Sequence, residues 1–144
     1  MVSSGHQVIA AAPNDETRYR NMLIDQGVAY RQIQLRNTSL NPFVDLLSLR
    51  SVYGLLQKER PDILLSYNIK PVILGSIVAK SLGIKRVYSI ISGLGYAFSR
   101  SATPWLNFTA RIFYRLALKY NRVVIFQNQE DLSFFTKLRL ISPR

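Results

Sequence analysis

Short apolar runs alternate with longer helix-like segments along the whole chain, and proline or glycine punctuates nearly every junction. This rhythm constrains the fold more than any other feature. The run His6 to Ala12 stops at Pro13 and reads as a buried strand. Asn14 is placed to cap a helix through about Gln26, with Gly27 as its stop. Val28 to Leu35 alternates apolar and polar residues and reads as a second strand, followed by a polar loop from Arg36 to Leu40. Asn41-Pro42 starts a helix that runs to about Glu59, with Leu46, Leu49, Tyr53 and Leu56 on its apolar stripe. Asp62 to Ser66 reads as a central strand, and a helix spans Pro71 to Leu82 and ends at Gly83. Arg86 to Ile91 is a buried strand, Ser92 to Thr103 a Gly- and Ser-containing loop, and Pro104 opens a helix to about Tyr120. Arg122 to Phe126 supplies the last strand and Glu130 to Leu138 a short helix.

Strands separated by helices predict an α/β fold: a Rossmann-like parallel sheet of about five strands, joined by right-handed crossovers, with helices on both faces. The 144 residues suffice for one domain, which is how 1–144 reads. Hydrophobic residues make up 48% and charged residues 19%, the balance of a globular chain rather than a disordered one. No apolar run is long enough to span a membrane, and Met1 to His6 has neither the basic start nor the apolar core of a secretory leader. There is no cysteine and one histidine, which excludes disulfides, thiolate metal sites and His clusters; no metal is expected. The absence of cysteine fits a reducing cytoplasm.

A formal charge of +11 favours anionic partners: nucleic acid, acidic lipid or phosphorylated substrates. Nucleic acid is the poorest fit, because the aromatics sit at helical core spacing rather than interleaved with basic residues.

In an open parallel sheet, ligands bind beyond the carboxyl ends of the strands, where loops and helix N-termini converge. That rule selects the segments around Asn14, Arg36, Asn68 to Lys70, Ser92 to Gly95, and Asn128. The glycines of Ser92-Gly93-Leu94-Gly95-Tyr96 can turn backbone N–H groups towards a phosphate, or only permit tight turns; the residues alone leave both open. Lys70, in an extended residue ahead of the helix at Pro71, reads as either an anion contact or a solvated lysine. Arg36 is a possible anion contact in the same sense. His6 lies at the amino end of its strand, away from this edge, and reads as a turn residue. No Ser-His-Asp set or paired-carboxylate site can be assembled. On the helix from Pro104, Arg111, Arg115 and Lys119 form a basic stripe beside Phe108, Ile112 and Leu116, with Trp105 and Phe113 nearby. Such a helix rests on an anionic membrane surface or packs on the sheet with its cationic edge in water, and both readings stand.

The order of motifs resembles the family 4 glycosyltransferases. The series runs Gly5-His6-Gln7-Val8, Arg36, Asn41-Pro42-Phe43, Arg60-Pro61-Asp62-Ile63 and Tyr67-Asn68-Ile69-Lys70-Pro71. It continues through Gly75-Ser76-Ile77-Val78-Ala79-Lys80 and Ser92 to Phe98, and closes with Phe126-Gln127-Asn128-Gln129-Glu130-Asp131. It is most similar to the branch that builds capsule, O-antigen and other lipid-linked bacterial surface glycans. The resemblance implies a GT-B fold of two Rossmann-like domains, of which this chain is the N-terminal, acceptor-side one. It implies hexosyl or N-acetylhexosaminyl transfer from a nucleotide-sugar to an acceptor on polyprenyl diphosphate. Asn68, Lys70, Ser92, Gly93, Leu94, Gly95, Tyr96 and Asn128 would then bind the acceptor, with Trp105, Phe108, Arg111, Arg115 and Lys119 against the inner face of the cytoplasmic membrane.

In that family a strand, a glycine-containing loop and a helix precede the Gly5-His6 turn, and the donor domain follows the last segment. The resemblance therefore implies a fragment, truncated at both ends and inactive alone. It would bind no cofactor itself, the nucleotide-sugar belonging to the full-length parent. The alternatives are a non-catalytic acceptor- or membrane-binding subunit of a split transferase, paired with a donor-domain chain, and a sugar-nucleotide epimerase-like domain of the same fold.

Overall fold

A computed structural model describes residues 1–13, 16–35, 42–93, 98 and 103–141, the side chains of 42–45 excepted. The caps expected of Asn14 and Asn41 lie outside the described residues. The chain divides into two compact units, Met1–Leu55 and Leu56–Arg144.

In the first unit, β1 (Ile9–Ala12) and β2 (Ala29–Gln32) pair in parallel, Ile9 opposite Ala29 and Ala12 opposite Gln32. They are joined through helix α1 (Thr17–Asp25). Gly27 takes φ 74°, the left-handed conformation that glycine adopts without strain, and turns the chain from α1 into β2. Helix α2 spans Pro42–Glu59 and runs from the first unit into the second. Its buried positions are Ser48, Val52 and Leu56, spaced by four, while Leu46 is 62% and Tyr53 39% exposed. Of the expected stripe, Leu56 is buried and Leu49 half-buried, while Leu46 and Tyr53 give way to Ser48 and Val52. The Ser51 hydroxyl accepts the backbone N–H of Gln34 at 2.9 Å, which sets α2 with its serine side, rather than Leu46, towards the strand.

In the second unit, β3 (Ile63–Tyr67), β4 (Arg86–Ile91) and β5 (Val123–Phe126) form a parallel sheet in that order. Leu65 pairs with Tyr88 and Tyr88 with Val123; Tyr67 pairs with Ile90 and Ile90 with Ile125. The connecting helices are α3 (Ile69–Ser81) and α4 (Pro104–Leu118), and α5 (Gln129–Lys137) follows β5. Their core joins Val72 of α3, Ile91 of β4, Tyr114 and Leu118 of α4, and Phe135 of α5, closed by Leu140.

The parallel α/β class is as expected. Its details differ in three ways. The strands lie in two sheets, β1-β2 and β3-β4-β5, rather than one. Asp62 to Ser66, read as central, forms the edge strand β3, and β4 is central. In the second unit the described helices cover one face. Its strands follow sequence order, and successive right-handed crossovers in one direction place every helix on the same side; helices change face only where strand order reverses.

The helices are held close to the strands. A Cβ at Gly75 of α3 would lie 2.7 Å from Ser66 Oγ and 3.4 Å from Leu64 Cδ2. Gly75→Ala should therefore cost about 1–2 kcal/mol by forcing α3 off the sheet, read from the urea midpoint, whereas Gly83→Asn should be nearly neutral.

Candidate functional site

The carboxyl ends of β3, β4 and β5 carry Asn68, Ser92-Gly93 and Asn128. This is the edge at which a parallel sheet gathers loops and helix N-termini. Asn68 caps α3 in a backbone conformation that side chains rarely adopt, φ 71° and ψ 165°. Its N–H donates to the Ile90 carbonyl at 3.2 Å, and its carbonyl accepts from Val72 N at 3.0 Å. Holding a non-glycine residue there costs about 1–3 kcal/mol, and such strain persists where neighbours over-determine it.

The Ser92 hydroxyl donates to Asn68 Oδ1. This fixes the asparagine amide with its Nδ2 group exposed and without a protein partner among the described residues. At Gly93, φ is 143°, which requires glycine and bends the chain directly after β4. Asn68→Gly should relieve the strain and raise stability by about 1 kcal/mol, while removing the amide from this edge. Denaturant titration reads the gain, and ligand titration of the same variant reads the loss.

Lys70 does not lie ahead of the helix as its position before Pro71 predicts; it is inside the first turn of α3, half-buried and already engaged with the protein. The proline is tolerated because first-turn N–H groups have no partner within the helix. Arg36, Leu94, Gly95 and Tyr96 lie outside the described residues.

Asn128 is the N-cap of α5. Its Oδ1 accepts the Asp131 N–H at 2.7 Å, and its Nδ2 donates to Asp131 Oδ2 at 2.9 Å. Asp131, in the third helical position, is 6% exposed whereas Asn128 is exposed, so the N-cap is held by one side chain-to-backbone bond and one bond between the two side chains. The spacing Asn128-x-x-Asp131 was legible in the chain, yet Asp131 was not among the expected site residues. It orients Asn128 at the carboxyl edge of the sheet.

Below this pair lies Tyr114, fully buried against Phe98 and Phe135, its rings' centroids 5.9 and 5.0 Å away. Its hydroxyl has no hydrogen-bond partner among the described residues. Burial first, and the nearby Asp131 charge second, push the phenol well above the usual tyrosine range. The unfolded chain releases this proton near pH 10 and the folded chain does not. Stability should thus be intact below pH 10 and fall as pH rises past it. Tyr114→Phe should flatten that decline and match or exceed wild-type stability at pH 7, since it removes an unpaired buried hydroxyl. Urea unfolding at pH 7 and pH 10.5 tests both.

Helix α4 begins at the same carboxyl edge. The Thr103 hydroxyl caps it by accepting from Leu106 N, with Pro104 at the first helical position. Ala110, Tyr114, Ala117 and Leu118 face the core. The opposite side is open: Trp105 is 74%, Phe108 56%, Ile112 43%, Phe113 49% and Leu116 49% exposed. Arg111, Arg115 and Lys119 are exposed on the same helix. Arg115 also donates to the Arg139 and Leu138 carbonyls at 3.2 and 3.3 Å, tying α4 to the end of α5. The apolar stripe read in the sequence is therefore a surface feature and not core.

A cavity of about 600 Å³ opens at the other end of this sheet, among Leu56, Arg60, Asp62, Gly83, Lys85 and Arg86. Helices α2 and α3 end there, so their carbonyl ends oppose an anion. His6, expected to serve a turn, follows the turn closed by Gly5 N–H to Val2 O at 2.9 Å. Among the described residues no three His, Asp or Glu side chains converge on a point that could hold a metal ion. No described helix is long and apolar enough to cross a membrane.

A family model described as glycosyl transferase 4-like matches residues 1–128. Among solved structures, the chain is similar to MurG of Acinetobacter baumannii, at 19% identity and a TM-score of 0.55. The match covers 90% of this chain and 34% of that one, so the chain spans well under half of the MurG length. At this identity the likeness shows the fold alone. No curated protein matches the chain.

Proposed function

The chain belongs to the glycosyl transferase 4-like family, and on that premise we propose that it is the acceptor-side domain of an enzyme moving a hexosyl or N-acetylhexosaminyl group from a nucleotide-sugar to a lipid-linked acceptor. The observation that carries the lipid-linked part is the open face of α4. Five large apolar side chains and three cations share one helix that starts at the same edge as Asn68, Ser92 and Asn128. A surface of this kind lies in the headgroup region of an anionic membrane. A domain seated there would present its cleft edge to an acceptor whose diphosphate lies at that depth. The reading places the protein peripherally at the inner face of the cytoplasmic membrane, in surface-polysaccharide synthesis of the capsule or O-antigen type.

At the cleft edge, the Asn68 amide, held by Ser92, donates to an acceptor hydroxyl or phosphate oxygen. The N-terminus of α3 adds a favourable field for negative charge. Gly93 lets the chain after β4 approach the ligand closely. Asp131 acts through Asn128 by holding its amide in place. The nucleotide-sugar is bound by the donor-side half of the parent enzyme.

The test is transfer by the intact protein that contains these residues, given a short-chain polyprenyl diphosphate-sugar and a panel of radiolabelled nucleotide-sugars. Label should pass to the lipid, and Asn68→Ala should raise KM for the lipid acceptor with little change for the donor. The 144-residue chain alone should bind the lipid acceptor without turnover. Interconversion of nucleotide-sugars with no acceptor present would instead identify an epimerase.

A further inference from the structure

One face of the β3-β4-β5 sheet carries two apolar rows, Leu65-Tyr88-Val123 and Tyr67-Ile90-Ile125. Beside them Ile63 lies next to Arg86, which has the same parity on β4 and brings the only charge of these strands to this face. Ile63, Leu65, Tyr67, Val123 and Ile125 are 46–52% exposed. We propose that this face docks a partner α-helix with an apolar stripe and an acidic border, its carboxylates meeting Arg86.

Parallel sheets occur almost only with both faces covered, and the cover is helical because the crossovers between parallel strands place helices on the faces. Three strands spaced about 4.8 Å apart make a strip about 10 Å wide, the diameter of one helix. The two rows then match the i, i+3, i+4, i+7 anchors by which an amphipathic helix fills an apolar groove. Charge selects the occupant. A second copy of a chain carrying +11 would set Arg86 and its basic surroundings against their like, whereas an acidic helix complements them.

The chain has no cysteine, so Leu65→Cys introduces a unique thiol whose labelling reports cover on this face. The probe is a synthetic helical peptide of about 18 residues, with leucine at the apolar positions and glutamate elsewhere. Val123→Cys gives a second reporter on another strand should the first variant fold poorly. The free chain should label rapidly, and the glutamate peptide should slow labelling at both positions about tenfold. Arg86→Gln should weaken that protection about fivefold, and a lysine version of the peptide should give none. Four results overturn the proposal: slow labelling of the free monomer, which means the chain covers its own face; protection that rises with protein concentration alongside a sedimenting dimer; protection by anionic vesicles but not by the peptide; or equal protection by both peptides.

Discussion

Asn121→Ala should lower the stability of the second unit by about 3 kcal/mol, the largest loss expected from any single polar substitution here. Asn121 is 9% exposed, just beyond α4 and ahead of β5. Its Oδ1 accepts from Ser89 Oγ of β4 at 2.6 Å. Its Nδ2 donates to Ser76 Oγ of α3 at 2.8 Å and to the Ala117 carbonyl of α4 at 3.0 Å. One amide thus ties a central strand to two helices, and Ser76 and Ser89 are both fully buried.

Truncation removes three hydrogen bonds and strands two fully buried hydroxyls. Each orphaned group costs about 1–3 kcal/mol, because the unfolded chain satisfies it in solvent. Asn121→Asp keeps the shape but replaces two donated bonds with a buried charge and should cost as much. The triple variant Ser76→Ala, Ser89→Ala, Asn121→Leu removes all partners together and should recover about half of the loss, since nothing is left unpaired. Urea unfolding by circular dichroism measures all three. A loss below about 1 kcal/mol for Asn121→Ala would show that the network is not closed in solution.

That network is also a contact that local sequence signals do not encode. Strands and helices announce themselves through apolar period and through Pro13, Gly27, Pro61, Gly83 and Pro104, because these effects are local. A buried amide between two serines is not local. Ser76, Ser89 and Asn121 are separated by 13 and 32 positions along the chain and meet only once the sheet forms. The start of α3 departs from the local rules for a related reason. Local rules put the boundary at Pro71, whereas the bond from Asn68 N–H to Ile90, made across the sheet, holds Asn68 at φ 71° and starts the helix earlier.

At the site, the carboxyl-edge rule brought Asn68, Ser92 and Asn128 to one end of the sheet, since it needs only strand direction. It did not yield Asp131, whose role depends on burial, although its spacing from the Asn128 cap was visible. The face of α4 was legible as a pattern. Which side of it met water was decided by the small residues Ala110 and Ala117, which let the helix sit close to the core and turn Trp105 and Phe108 outward.

If α4 seats the protein on a membrane, its two chemical components should fail separately. Arg111→Gln with Lys119→Gln removes two cations near the surface, each contributing about 1 kcal/mol on anionic lipid, so vesicle affinity should fall about thirtyfold. Arg115 is left intact because its bonds to the Leu138 and Arg139 carbonyls would confound stability with binding. Trp105→Ser with Phe108→Ser removes two rings that are 74% and 56% exposed and 6.3 Å apart, and should cost at least as much through lost apolar burial. Salt separates the two. Raising ionic strength to about 0.5 M shortens the screening length and should erase most of the difference between wild type and the charge variant. The deficit of the aromatic variant should persist. Both variants should keep the wild-type melting temperature, because every substituted side chain is exposed. Flotation with vesicles of about 30% anionic lipid, against neutral vesicles, makes the measurement. Unchanged binding in both variants would return this helix to an ordinary solvated face and remove the support for a lipid-linked acceptor.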